Sequence, residues 1–442
     1  MIEIKPFKGI TYNNRKINLK DVTAPPYDVI SPEELENFYR KSEYNVVRLV
    51  LGKNEPGDNG LNNKYTRSAN YLKNWLNQNV LLPSDKPAIY IYKQKYKAKG
   101  RDVSRVGFIA LLKLEDFESG KVLPHEKTFP KAKVDRLNLL RACETNFSQV
   151  FSLYLDPEGK IDNILKKFPD DKSTIKIIDE DRANHTLHQV FDEKIIKKIS
   201  QLMKDKTIFI ADGHHRYETA LNYRNEMRKK INNYSGIEGF NYVMMMFVNM
   251  NDEGLSVLPV HRVIKDISLP DENEILEKAA NFFKIESFKF NEGNKEKIKN
   301  IFSQRLSAEF NKTHAFGIYP GTNKYHLLIL KDENIMDKLI PSEHSQDWKK
   351  LDITILHSLL IEKIIGIKDK NLIKHKSIKF TPDENEALEL VDKGEYKIAL
   401  LVNPTKVEEV RAVASNREKM PQKSTYFYPK LLTGLVINKH GK

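Results

Sequence analysis

Thr207-Ile208-Phe209-Ile210-Ala211-Asp212-Gly213-His214-His215-Arg216-Tyr217-Glu218-Thr219-Ala220-Leu221 is the stretch from which the fold can be read outward. An apolar, β-branched run ends in Asp-Gly, two histidines and an arginine follow, and a helical pattern begins. That order predicts strand, tight turn and helix N-terminus. A helix N-terminus offers unpaired backbone N–H groups and partial positive charge, so it favours anions. Gly213 lets backbone approach an anion closely. His214, His215 and Arg216 add donors, and a guanidinium can grip two phosphate oxygens. These residues suit a phosphate cradle. They equally suit an ordinary Asp-Gly turn before a polar helix start. Adjacent histidines do not share a helix face as metal ligands, which needs a spacing of three or four.

With 442 residues the chain exceeds one ordinary core, and two domains are expected. Apolar residues make up 40% and charged residues 30%, the balance of a soluble globular protein with no membrane-length apolar run. Residues 1–5 lack the apolar core of a signal peptide. A single cysteine, Cys143, excludes a disulfide framework and a Cys-based zinc cluster, and it suits a reducing, cytoplasmic setting. The net charge of +13 is spread among acids with no basic tail, which fits a solvated surface and argues against nucleic acid.

No repeat or Pro/Ser-rich linker interrupts the chain. Helices and strands alternate irregularly, which predicts an α+β, mixed α/β fold. Ser31-Pro32-Glu33-Glu34 reads as a capping box opening a helix. Residues 46–51 read as a strand, 66–79 as a helix, 88–92 and 106–112 as strands, 134–143 as a helix, 150–155 as a strand and 192–204 as a helix. Tyr242-Val243-Met244-Met245-Met246-Phe247-Val248 reads as a buried strand with methionines as core filler. Helices are expected at 272–283, 295–306, 353–364 and 384–392, and strands at 316–319, 326–330 and 398–402. The domain boundary is placed near 231–240, giving domains 1–235 and 236–442.

Four other constellations could carry chemistry. Ala24-Pro25-Pro26-Tyr27-Asp28-Val29-Ile30 fixes Asp28 with two prolines; beside a phosphate site it would serve as general base or Mg²⁺ ligand, and otherwise as an Asx turn. His125-Glu126-Lys127-Thr128 with Asp135-Arg136 offers acid–base chemistry or a salt-bridged loop. Pro259-Val260-His261-Arg262 ends a strand-like run, where the His-Arg pair would reach an anion or merely cap the strand. Met420-Pro421-Gln422-Lys423-Ser424-Thr425-Tyr426-Phe427-Tyr428-Pro429-Lys430 is too aromatic for a surface tail. Lys423-Ser424-Thr425 has P-loop chemistry but no glycine-rich loop before it. The segment is expected to pack back on the body, with Lys423 facing the ligand.

Segments 24–30, 125–136, 211–221, 259–262, 351–357 and 420–430 together resemble the domain of unknown function 1015 family of archaea and bacteria, in order and over nearly the whole chain. A narrower resemblance covers the strand–turn–helix. Asp212-Gly213-His214-His215-Arg216 is similar to the phosphate-binding motif of ParB-like and sulfiredoxin-like folds, above all to the nucleotide loop of free-serine kinases. Their catalytic acid lies upstream of the loop, which points here to Asp28 or Glu34, although the intervening sequence is much longer than in those kinases. No cysteine stands beside the loop, as a sulfiredoxin would require.

The resemblance implies a ParB/sulfiredoxin-like nucleotide-binding core with insertions, plus a second α+β domain. It implies a small-molecule kinase using ATP or ADP and Mg²⁺, with free L-serine as acceptor. Asp28, Glu34 or Glu126 would be the base. Asp212, Gly213, His214, His215, Arg216, Arg136, His261, Arg262, Lys423, Ser424 and Thr425 would bind nucleotide or phosphate, with Asp212 also holding the metal. Two alternatives stand beside it. A ParB-like regulator contacting DNA lacks a helix-turn-helix or basic arm here. A metal-dependent hydrolase using His125, His214, His215 and His261 lacks HExxH-type spacing among the 12 histidines.

Overall fold

In the computed structural model the run before the Asp-Gly turn is a strand, Ile208–Asp212, and the helix after it is His214–Lys230. The structure describes residues 1–98, 100–128, 130–170, 175–231, 233–265, 269–367 and 377–441. They form two compact units, the first from Met1–Pro124, Thr128–Ser256 and Pro429–Lys442, the second from His125–Lys127 and Val257–Tyr428. The architecture is α+β.

The first unit is built on a mixed nine-stranded sheet. Its main path runs Val122–Pro124, Ile208–Asp212, Val150–Tyr154, Tyr242–Asn249, Arg101–Lys113, Ile89–Ala98, Asn184–Val190, Ile175–Ile178, and Ile4–Lys5 pairs with Arg101–Lys113 off that path. Ile208–Asp212 is parallel to Val122–Pro124 and antiparallel to Val150–Tyr154. Its register against the latter shifts between Ile210 and Asp212. Such an irregularity turns a strand end and re-aims the side chains there, and here it delivers Asp212 to the turn. Ile208 and Ile210 are buried in a core with Phe108, Met245, Phe247, Tyr217 and Leu221. Met244, Met245 and Met246 are fully buried, as core filler should be. Tyr242–Asn249, which lies beyond the expected 235/236 division, is a central strand of this sheet.

A second core in this unit gathers Val46, Val47, Leu72, Trp75 and Cys143. Here residues 46–51 depart from expectation: Val47–Val50 is a helical turn, not a strand. Val46, Val47, Leu49 and Val50 are buried while Arg48 and Leu51 are half-buried, and so short a run is too brief for its periodicity to tell helix from strand. Asn45 decides locally, since its side chain accepts the Val47 N–H at 3.0 Å and starts a turn. The helix expected at 66–79 is Lys64–Asn77, capped by Asn63. The helix starting at Pro32 carries the expected capping box of Ser31 and Glu34.

The second unit holds a six-stranded antiparallel sheet, ordered Phe283–Lys289, Lys324–Leu330, Ala315–Tyr319, Ile398–Val402, His261–Ile264, Ile378–Thr381. His261 and Arg262 begin a strand, whereas the sequence placed them at the end of one. Phe283 also begins a strand, so the helix expected through 283 stops at Ala280. Among the described residues no helix is long and apolar enough to cross a membrane.

Candidate functional site

The turn after Ile208–Asp212 has the geometry that its glycine permits. Gly213 has φ +87°, a left-handed conformation, and forms the N-cap of His214–Lys230 without a side chain of its own to cap it. A Cβ on Gly213 would lie 2.7 Å from Arg216 Nη2. The Arg216 guanidinium therefore folds flat against the glycine backbone, in space that no other residue leaves open.

Arg216 donates from Nη1 to Ser148 Oγ at 3.0 Å and to the Gln149 carbonyl, and its Nη2 stands 3.3 Å from Asp212 Oδ2. Its Nε is buried without a partner. Lys430 Nζ approaches the other carboxylate oxygen, Oδ1, at 3.4 Å. Burial alone would raise the Asp212 carboxyl, but Lys430, Arg216 and His214 hold it down to about 2. Asp212 is thus ionised at neutral pH, and two fixed cations on one carboxylate leave the cluster net positive, as anion capture requires.

Arg136 joins from the helix Pro130–Cys143. It is 8% exposed, donates from Nη1 to the Val50 carbonyl at 2.6 Å and from Nε to Asp135 at 2.9 Å, and lies 4.1 Å over the Tyr27 ring. Asp135 also pairs with Lys64 at 2.7 Å and accepts from the Tyr65 hydroxyl at 2.9 Å. Burial works against the Asp135 charge, but Arg136 and Lys64 outweigh it and hold the carboxyl at about 2. Burial, reinforced by the Asp28 charge, pushes the Tyr27 hydroxyl up to about 12, so it stays a donor. Tyr27, Arg136, Ser148, Arg216, Thr219 and Thr433 line one cavity of about 560 Å³, counting its open mouth.

Asp28 sits exposed in the turn beside Tyr27, whose hydroxyl also feels Arg136, Arg216 and Asp212. Glu34 is occupied differently: its carboxylate accepts the Ser31 N–H at 2.7 Å. His214 is buried and His215 half-buried in the first turn of their helix. The structure thus gathers Asp212, Gly213, His214, His215, Arg216 and Arg136 in the first unit.

The remaining expected residues form a cluster in the second unit. The Met420 N–H donates to the His125 carbonyl at 2.8 Å, His125 Nε2 lies 3.1 Å from Thr425 Oγ1, and the Lys423 N–H reaches Glu126 Oε1 at 3.5 Å. Arg262 is fully buried and donates to the Val260 carbonyl and, at 3.0 Å, to the Lys423 carbonyl. His261 Nδ1 accepts the Val402 N–H at 3.2 Å, and burial with the Arg262 charge pushes its pKa down to about 3. The Ser424 hydroxyl donates to the Pro421 carbonyl at 2.5 Å. These contacts tie the 420–425 segment to its own unit.

Sequence reasoning missed Tyr27, Ser148, Thr219 and Lys430. Thr219 lies inside the quoted stretch, and Lys430 closes the aromatic segment in which Lys423 drew the attention. Among the described residues no three His, Cys, Asp or Glu side chains cluster to hold a metal ion. Asp212 carries a hard carboxylate, the usual protein share for Mg²⁺ carried on nucleotide phosphates, and a metal there would share it with Arg216 and Lys430.

Solved structures with a similar arrangement include a conserved hypothetical protein from Pyrococcus furiosus (TM-score 0.32, 13% identity, 70% of this chain and 89% of that one). A variant free serine kinase in complex with ADP matches with TM-score 0.33 and 12% identity, over 70% of this chain and 84% of that one. C-terminally truncated SbnI from Staphylococcus aureus matches with TM-score 0.32 and 10% identity, over 73% of this chain and 85% of that one. No curated protein matches the chain. Residues 4–354 match the family described as protein of unknown function (DUF1015), and the chain belongs to that family.

Proposed function

We propose that the protein is a small-molecule kinase that transfers a phosphoryl group from ATP or ADP to a hydroxyl, with free L-serine as the first acceptor to test. The observation that carries this reading is the start of His214–Lys230, with Gly213 as N-cap at φ +87° and the Arg216 guanidinium laid against it. Backbone N–H groups, helix dipole and a flat guanidinium converge there, which is the equipment for holding phosphate. The likeness of Asp212-Gly213-His214-His215-Arg216 to the nucleotide loop of serine kinases supports the same reading.

Phosphoryl transfer needs positioning and charge neutralisation more than covalent help from the protein. Arg216, Lys430 and the Gly213 turn would hold the transferred group, with His214 and His215 beside them. Asp212 would hold Mg²⁺ together with phosphate oxygens; the metal, when bound, neutralises phosphate charge. Asp28 would take the acceptor's hydroxyl proton as the new O–P bond forms and the bond to the leaving phosphate breaks. Glu34 is committed to its helix cap, and Glu126 to the second unit. A cytoplasmic location goes with this proposal.

The test is direct. Purified protein with ATP or ADP, Mg²⁺ and L-serine should form O-phosphoserine, detected by ³¹P NMR. Arg216→Ala should lose at least about tenfold in rate, or ~1.4 kcal/mol of transition-state stabilisation. The proposal fails if neither nucleotide yields a phosphorylated product with any hydroxyl amino acid or polyol.

A further inference from the structure

Three neighbouring strands of the first unit, Asn184–Val190, Ile89–Ala98 and Arg101–Lys113, each place a polar side chain at one register. His185 stands opposite Gln94, and Gln94 opposite Arg105. Residues directly opposite share a sheet face, and Tyr92, two positions from Gln94, shares it too. All four side chains are fully buried. Apolar side chains would fill such a row without the cost of desolvating polar groups. This row has a common object, the backbone of residues 429–432.

Arg105 donates to the Pro429 carbonyl at 2.5 Å and Gln94 to the Lys430 carbonyl at 3.1 Å, while the Leu432 N–H reaches the Tyr92 hydroxyl oxygen at 3.4 Å. Each member is oriented by the next. Arg105 Nε donates to Gln94 Oε1 at 3.1 Å, which turns the Gln94 amide nitrogen toward Lys430. The Tyr92 hydroxyl lies 2.7 Å from His185 Nδ1, and burial pushes its pKa well up, so it stays a donor. It donates there only while Nδ1 carries no proton. Asp179 secures that state, because its Oδ2 accepts from His185 Nε2 at 2.8 Å and so keeps the ring proton on the far nitrogen. Asp179 is itself pinned at the hairpin turn, where its Oδ1 accepts the Ala183 N–H at 2.8 Å.

The consequence falls on Lys430, whose ammonium meets Asp212 at 3.4 Å. A lysine is a point charge on a flexible stem, so its aim is set by where its backbone is held. We propose that Asp179, His185 and Tyr92 are positioning residues: they hold Leu432, and through it the Lys430 backbone, so that the ammonium stays on the Asp212 turn. The assignment rests on the kinase reading only for the task given there to Lys430. The hold itself needs no nucleotide, so the two ideas separate by experiment.

Labelling the whole protein with acetic anhydride, without nucleotide, and reading each lysine by mass spectrometry tests the hold. The Lys430 side chain is 14% exposed on Asp212; Lys206, 24% exposed on Asp156, and Lys64, 22% exposed on Asp135, serve as references. His185→Leu should raise the Lys430 rate at least fivefold and leave both references within twofold. His185→Gln, whose amide carries one donor and one acceptor as the ring does, should return Lys430 to within twofold of the parent. Tyr92→Phe keeps the ring, removes the hydroxyl and should give the same rise as His185→Leu, which covers the case in which the leucine variant does not fold. Parent-like labelling of Lys430 in the variants overturns the proposal. So does a rise shared equally by all three lysines, or a His185→Gln rate as high as that of His185→Leu. Titration with ADP completes the test. His185→Leu should weaken ADP at least threefold in the parent background and leave it unchanged in Lys430→Met, whereas an equal loss in both backgrounds overturns the positioning role. The expected labelling pattern in a parent that binds no ADP would uphold the positioning role and sink the kinase.

Discussion

Lys430 meets Asp212 across 218 residues of sequence, its Nζ 3.4 Å from Oδ1 while Arg216 occupies the Oδ2 side at 3.3 Å. The lysine arrives on the C-terminal segment, whose backbone carbonyls are held by side chains of the first unit. Arg105 donates to the Pro429 carbonyl at 2.5 Å, Gln94 to the Lys430 carbonyl at 3.1 Å and Gln149 to the Leu432 carbonyl at 3.3 Å. Residues 429–432 are therefore anchored beside the Asp212 turn.

Lys430→Met should remove one of the two cations that keep Asp212 ionised and the site net positive. Nucleotide affinity is expected to fall about tenfold, or ~1.4 kcal/mol, and the loss should shrink in high salt because the interaction is electrostatic. Isothermal titration with ADP at two ionic strengths checks it. Equal affinity for parent and variant would remove Lys430 from the site.

Arg105→Met tests the anchoring of that segment. Arg105 is fully buried and supplies donors to Gln94 Oε1, at 3.1 Å from Nε, and to the Pro429 carbonyl. Removing it strands two buried acceptors, each worth ~1–3 kcal/mol when unsatisfied. Relief of the buried charge offsets part of this, so a net loss of ~1–3 kcal/mol is expected. Hydrogen exchange should rise over residues 429–437 before it rises in Ile208–Asp212. Uniform exchange across both would show that the segment is not separately anchored.

The local backbone around the candidate site was legible in the sequence, and its long-range contacts were not. Gly213 could be placed because a turn between an apolar strand and a helix demands a residue tolerant of positive φ. Ser31 and Glu34 could be read because a capping box is complete within four residues. Residues 46–51 were misread because a short, mostly apolar run has too few turns to show its period, and Phe283–Lys289 because a helix pattern ran into it without a glycine or proline stop. Asn184–Val190 and Ile175–Ile178 were missed; the polar residues of the first, such as Asn184, His185 and Gln189, mask its alternation. Lys430 and Thr219 could not be assigned roles. Nothing near them in sequence says that one meets a carboxylate 218 residues away or that the other lacks a partner.

Acid should weaken the protein in two separable windows. His261 is held neutral, its pKa pushed from 6.5 to about 3 by burial and the Arg262 charge. The unfolded chain takes up this proton and the native chain refuses it, so stability is full above about 6.5 and declines as pH falls toward 3. Asp212 acts lower. Its carboxyl, at 3.8 when unperturbed, is held at about 2 against the burial that would raise it, so its contribution persists down to about pH 4 and is lost toward pH 2. His440, pushed by burial to about 4, adds to the first window. Urea midpoints should therefore fall between pH 6.5 and 4.5, and His261→Gln should flatten part of that slope. An identical slope in the variant would exclude His261.

Asp28 and Glu34 separate cleanly by what each touches. Glu34 accepts the Ser31 N–H at 2.7 Å and gives its N–H to Ser31 Oγ at 3.2 Å, so it holds a helix start. Glu34→Gln should cost at most ~0.5–2 kcal/mol of stability and leave kcat within twofold, since loss of a cap acts on the helix and not on the transferred group. Asp28 stands exposed beside Tyr27, with no cap to maintain, and its charge reaches the hydroxyl that also feels Arg136, Arg216 and Asp212. If it takes the acceptor's proton, Asp28→Asn should lower kcat by about 10²–10⁴ while nucleotide affinity and melting temperature stay put. Measuring both variants with O-phosphoserine production as readout decides the matter: a fall in kcat with Glu34→Gln alone would move the base from the turn to the helix, against the hydrogen bonding seen there.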